Sequence, residues 1–215
     1  MRKKWNFILC FFLTIIMAGC GTKEKSLSEE ELNYFNTIFF SSTRQEVHNQ
    51  ANQVFVSEFD SPENIDFISL FYNHIGYYTG DTLEITDDEL EYLRSLGADT
   101  NLDISKNTKE YMEECLKKYF GLSIEETNKI SLDLFYYNSG SDSYYLTVGD
   151  CNFLYVNVIE GTYQTENELE LICEVSELPF ENLTEKERDN LKKYRVRLRK
   201  EGVHYYFLKN EKYID

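Results

Sequence analysis

The apolar residues of this chain change period part-way along, and that change confines it to few architectures. Up to about residue 131 they recur at helical spacing, and from Leu132 onward they alternate. Ser28 with Glu31 forms a capping box ahead of Leu32, Phe35 and Phe39, which predicts a helix over 29–40. Val47, Ala51, Val54 and Phe55 predict a second helix over 44–58. Ser61-Pro62-Glu63 has the form of an N-cap with proline at the first helical position, opening a helix through Ile65, Ile68, Leu70 and Phe71 that stops near Gly76. Thr86 with Glu89 opens another, ended by Gly97. The run from Tyr111 to Phe120 predicts a helix over 106–120 that stops at Gly121, and Ser123 with Glu126 caps a short one after it.

The second half predicts strands at Leu132–Tyr137, Ser143–Val148, Phe153–Ile159, Glu168–Val175, Tyr194–Arg199 and His204–Leu208. Turn residues separate them at Asn138–Asp142, Gly149-Asp150, Glu160-Gly161 and Glu201-Gly202, and Thr184 with Glu187 marks a last helix or crossover. Helices first and an antiparallel β-meander second is an α+β arrangement. No internal repeat or low-complexity tract interrupts it.

Two patterns in the strands bear on function. In Tyr194–Arg199 the arginines 195, 197 and 199 share one face, and in the fourth strand Glu168, Glu170 and Glu174 do the same. If the two strands are neighbours, these rows pair across the ladder; the functional alternative is an arginine stripe gripping an anionic ligand. Tyrosine doublets stand at 77–78, 136–137, 144–145 and 205–206. On a strand, each doublet sends one ring to each face. Rings left exposed would offer flat apolar area with a polar tip, suited to a sugar or peptide. Tyr144, Tyr205 and Arg197 are the candidate ligand-facing residues on this reading.

The amino terminus says where the domain resides. Arg2, Lys3 and Lys4 precede an apolar run of about 13 residues from Trp5 to Met17, and the stretch closes on Met17-Ala18-Gly19-Cys20. That run is shorter than the roughly 20 residues a spanning helix needs, and its plan is that of a secretory signal. Met17–Cys20 resembles the lipobox of bacterial lipoprotein precursors. The resemblance implies cleavage between Gly19 and Cys20 and a diacylglycerol thioether on Cys20. It also implies a further acyl chain, such as palmitate, on the new amino terminus. More than one chain gives stable anchoring. The expected organisation is a signal peptide over 1–19, a lipidated cysteine and tether over 20–27, and one extracytoplasmic α+β domain over 28–215. The stretches Phe71-Tyr72-Asn73, Lys118–Ser123 and Tyr144–Asn152 also resemble uncharacterised lipoproteins of anaerobic Gram-positive bacteria, a group with no assigned activity. The order of elements is similar in outline to NTF2-like or cystatin-like domains, an analogy of fold that implies no function.

Removing residues 1–19 leaves 196 residues carrying 19 basic and 38 acidic side chains, a net charge of −19. So acidic a surface repels nucleic acid and anionic membrane, so the expected partners are the membrane through the lipid on Cys20 and an unidentified protein or small molecule. Beyond Cys10 in the signal and Cys20, the odd set Cys115, Cys151 and Cys173 argues against a disulfide framework. Three buried thiols are expected, with Cys151–Cys173 the one pair worth testing.

No local motif carries chemistry. His48, His74 and His204 stand in no metal-ligand spacing, and no nucleophile elbow, P-loop or dinucleotide-binding glycine pattern is present. No cofactor, metal or catalytic residue is expected. The leading function is a lipid-anchored binding or interaction domain near the membrane. The rival is a small extracytoplasmic hydrolase with a site assembled from distant carboxylates, or from Cys151 or Cys173 with His204. Asp142 and Asp150 sit in predicted turns without the spacing of a calcium loop.

Overall fold

The computed structural model describes residues 25–41, 49–72, 84–149 and 154–214. Over these residues the protein is α+β, with two antiparallel sheets and six α-helices. The strands are β1 (Lys25–Ser26), β2 (Asp103–Thr108), β3 (Tyr136–Asn138), β4 (Ser143–Val148), β5 (Tyr155–Tyr163), β6 (Glu168–Ser176), β7 (Lys192–Glu201) and β8 (His204–Lys212). The helices are α1 (Glu29–Tyr34), α2 (Gln50–Gln53), α3 (Phe67–Phe71), α4 (Asp87–Ser95), α5 (Lys109–Phe120) and α6 (Glu185–Arg188). The large sheet has the order β1-β5-β6-β7-β8, so four of the six strands expected in the meander form one, whereas the other two, β3 and β4, join β2 in a small sheet of order β2-β4-β3.

The capping boxes at Ser28–Glu31, Thr86–Glu89, Ser123–Glu126 and Thr184–Glu187 all form. Each satisfies two orphan donors at a helix start. Several boundaries differ from the periodicity. The segment opened by Pro62 is a single 3-10 turn, because Ile65 is extended and Asp66 caps a separate helix through its bond from Ser69 N–H. Only 50–56 of the second predicted helix is helical within the described residues, starting after the cap Asn49. Leu132–Leu134 form a 3-10 turn, and Tyr136 starts the strand. β2 was not foreseen. Its sequence Asp-Ile-Ser-Lys-Asn-Thr has little strand propensity and is held by its full register with β4.

Gly161 was expected to turn the chain, yet it lies inside β5, and the turn comes at Gln164–Asn167. A Cβ on Gly161 would press into the side chain of Leu27 and lie 2.9 Å from Leu171 Cδ2. Glycine there lets Leu27, buried and bonded through its N–H to Gly161 C=O at 2.8 Å, lie against the strand. Residues 25–27, expected to belong to the tether, thus pack and pair as part of the domain. Gly161→Ala is expected to cost about 1–3 kcal/mol by overpacking. Urea unfolding measures that loss, and faster amide exchange at Leu27 would locate it.

The main core lies between the inner face of the large sheet and the helices. It is built on Val156, Val158, Leu171, Cys173, Val196, Leu198 and Phe207, with Phe35 and Phe40 after α1 and the helices α2, α3 and α5 supplying most of the opposing layer. After Tyr34 the first helix widens into a π-turn, Phe35–Phe39, closed by Phe40 N–H to Phe35 C=O at 2.8 Å. The extra residue in that turn lets Phe35, Phe39 and Phe40 all meet Phe207 or Tyr205. The small sheet buries Leu146 and Val148 in this core and turns Tyr145 the other way, onto Leu93 and Ala98 beside α4.

Candidate functional site

The outer face of the large sheet carries the charged rows. Glu168 stands opposite Arg199 and Glu170 opposite Arg197, the pairing expected from the alternation. Glu170 lies between two guanidinium groups, 3.3 Å from Arg195 and 3.8 Å from Arg197. Arg199 meets Glu201 at 2.8 Å, and Arg195 also reaches Glu211 at 3.7 Å. The arginine stripe is therefore engaged by carboxylates along its whole length. These pairs are half-exposed, and each contributes a few tenths of a kcal/mol, about 1 at most.

The three residues expected to share a ligand face do not share one. Tyr205 is on the core side of β8, its ring 5.0 Å from Phe35 and 5.9 Å from Tyr34. Arg197 is on the opposite side of the same sheet. Tyr144 belongs to the small sheet and packs on Tyr137 at 4.8 Å and on Phe135. The doublets split between faces as the pleat requires, but the inward ring is used in packing each time: Tyr145 is fully buried, and Tyr205 sits in the aromatic cluster. The doublet at 77–78 lies outside the described residues.

The thiol–imidazole pairing is contradicted for Cys173. This thiol is fully buried on the core face of β6, and burial pushes its pKa far above the usual range. His204 is exposed at the β7–β8 turn. Cys173 stands opposite Tyr194, seven residues back along β7 from Glu201, the partner of His204. That separation is about 23 Å. Cys115 is also buried, with its thiol pushed up to about 11 by that burial. Both cysteines are free. Cys151, Asp150, His48, His74, Gly19 and Cys20 lie outside the described residues. Among those described, no three or more His, Cys, Asp and Glu side chains are grouped to hold a metal ion. Asp142 accepts a 2.6 Å bond from the Tyr137 hydroxyl.

Concave surface lies under the connector between β6 and β7. The segment Glu177–Leu191 leaves the sheet, makes a 3-10 turn at Phe180–Asn182, passes through α6 and returns at Lys192. Arg188 braces it, donating to Phe180 C=O at 2.9 Å. Two adjoining concavities lie beneath it, with Leu191 lining both. The first, of about 490 Å³, runs between the π-turn, β5 and the connector. Phe40, Val156 and Phe180 form its apolar part, and Asn157, Glu174 and Arg188 its polar part. The second, of about 600 Å³, is lined by Phe55, Tyr72, Leu154 and Leu183, with Val56 and Leu178 at its edge. Those two residues are 50% and 48% exposed.

The walls are fixed by asparagines. Asn36, on the π-turn, accepts from Val158 N–H at 2.7 Å and donates to Val158 C=O at 3.0 Å. Asn52, on α2, donates to Leu154 C=O at 2.9 Å. Asn36 bonds β5 and Asn52 the residue just before it, on the side that the two-residue β1 does not reach and where backbone groups would otherwise be open. The β-bulge after Val158 adds local twist at this point. Asn157 donates to Glu174 at 3.2 Å across the ladder. None of these residues was singled out by sequence reasoning; the one available signal was the asparagine content of two helices whose apolar faces were recognised. No protein-family model, curated protein or solved structure matches this chain.

Proposed function

We propose that this chain is an extracytoplasmic lipoprotein, anchored through lipid on Cys20, whose domain binds a ligand in the paired concavities beneath the β6–β7 connector. The observation that carries the binding reading is the composition of that surface. Each concavity falls within the 300–1,000 Å³ usual for ligand sites, and apolar walls with a few placed polar groups are what such sites use. The exposed Val56 and Leu178 offer apolar contact, and Asn157, Glu174 and Arg188 offer hydrogen bonds and charge. That combination suits a short peptide or a small molecule of similar size, apolar on one side and polar on the other. The anchoring reading is supported by the basic, apolar and small-residue segments that precede Cys20.

The test uses the full chain from a Gram-positive host, solubilised in detergent. Ligand-observed NMR against mixed short peptides and polar small molecules is expected to find saturable binders. Leu191→Trp, which fills the ridge common to both concavities, is expected to weaken them at least about tenfold, the loss of about 1.4 kcal/mol. Its Tm should stay unchanged. Binding that survives Leu191→Trp, or a wild-type chain that binds nothing in the panel, would refute the site. Conversion of a bound compound would instead place the protein among the hydrolases. For the anchor, wild type is expected in the membrane fraction with an acyl mass increment, and Cys20→Ala is expected in the medium without it.

A further inference from the structure

The register of the first strand fixes which end of the domain the lipid would hold. Lys25 pairs with Tyr163 and Ser26 with Thr162, so the chain followed backward from Leu27 runs toward the end of β5. Lys25 therefore stands beside the Gln164–Asn167 turn. Lys200 N–H bonds Asn167 C=O at 2.7 Å, which sets the β7–β8 hairpin tip at the same end of the sheet. The connector and both concavities are at the other end, where β6 finishes at Ser176 and β7 starts at Lys192.

Two lengths decide the consequence. Cys20 is five residues from Lys25, and even a fully extended chain spans no more than about 17 Å over that distance. The sheet along β6 is nine residues long, about 26 Å at the usual rise. The anchor therefore cannot lie at the concave end. Resting on the lipoprotein reading above, we infer that the Gln164–Asn167 turn and the β7–β8 hairpin tip form the surface that meets the lipid headgroups, with both concavities facing away from the bilayer.

The residues at that end suit a headgroup layer. Val203, at the hairpin tip, is 80% exposed. Behind it Lys200 lies over the Tyr205 ring at 5.6 Å, Arg199 over Tyr206 at 5.7 Å, and His204 stacks on Tyr206. Lys25 covers Tyr163 at 5.4 Å. Tyrosines with a polar tip and long basic side chains with apolar stems are the residue types found at membrane interfaces. Glu166 and Glu201 are at the same end, so the match is to zwitterionic headgroups rather than to an anionic lipid patch.

A site-specific fluorophore tests the orientation. In a Cys151→Ser background, Val203→Cys and, separately, Glu181→Cys are labelled on the lipidated full-length chain in phosphatidylcholine vesicles containing a headgroup spin-label quencher. Both positions are exposed. The Val203 label is expected to be quenched several-fold more than the Glu181 label. The contrast should persist in high salt and shrink when about 15 Gly and Ser residues, enough to span the sheet, are inserted after Thr22. Equal quenching, or stronger quenching at Glu181, overturns the orientation. Mass and vesicle flotation are read on the same sample: a chain without acyl mass that fails to float defeats the lipoprotein reading itself. An acylated, floating chain with the wrong quenching order defeats only the orientation.

Discussion

Glu89→Ala is expected to lower the unfolding free energy by about 3–5 kcal/mol, because it strands a buried cation. Glu89 accepts a 2.7 Å bond from Lys106 and a 2.6 Å bond from the Tyr145 hydroxyl, and its other oxygen accepts from Thr86 N–H at 2.9 Å. Its side chain is 9% exposed and that of Lys106 is 13% exposed. Burial pushes the Glu89 carboxyl up, but the bonds from Lys106, Tyr145 and Thr86 outweigh it and hold the pKa at about 2. Burial and the same carboxylate raise Tyr145 to about 12. A carboxyl depressed from 4.5 to about 2 contributes about 3 kcal/mol that is complete above pH 4.5 and is lost as pH falls toward 2. Urea unfolding at pH 7 and pH 3 should therefore show a marked drop for wild type and a smaller one for Glu89→Gln. Lys106→Met alone should also destabilise, while pairing it with Glu89→Leu should recover much of the loss by making both positions apolar. A loss below about 1 kcal/mol for Glu89→Ala would mean that the pair is solvated and behaves as a surface ion pair.

Asn210→Ala is expected to cost about 3 kcal/mol, because two buried carbonyls lose their donor. The side chain of Asn210 is fully buried in β8 and donates to Val54 C=O at 3.0 Å and Ser57 C=O at 2.8 Å. Its backbone exchanges two 2.9 Å bonds with Phe59. The residue thus clamps the segment after α2, which carries Phe55 and Val56 of the second concavity, onto the sheet edge. Asn210→Asp keeps the shape but turns an acceptor toward two acceptors, so it should destabilise more than alanine. Chemical denaturation of the two variants gives the order. If alanine were the worse of the two, lost packing rather than the lost donor would be responsible.

These two residues show where sequence reading stopped. Glu89 was legible as half of a capping box, since that pattern is local to four residues. Its bond to Lys106 joins residues 17 apart, through a strand that periodicity did not reveal. The small sheet's central strand is legible because β4 is rich in the aromatic and β-branched residues that favour strands, whereas β2 is a strand mainly through its pairing with β4. Asn210 stands three residues beyond Phe207 in a run that alternates poorly, because the bulge between Arg197 and Leu198 shifts the register beside it. The expected ligand face failed for a related reason. Alternation shows which residues of one strand share a side; which sheet the strand joins, and what covers that side, depends on contacts far apart in sequence.

What the sequence by itself determined is what depends on near neighbours. The four capping boxes, the stop at Gly121 with φ of 70°, the division of charged and apolar residues on β6 and β7, and the α+β order all follow from spacings of two to four residues. What only the tertiary structure decided is what depends on distant partners. The docking of residues 25–27 on β5 needs the cleft that Gly161 leaves for Leu27. The asparagine clamps on β5 need a π-turn and a helix brought to the same edge. The concavities need a 15-residue connector braced back on itself by Arg188. Apolar burial supplies the force for these contacts without direction, so the backbone path determines which side chains meet.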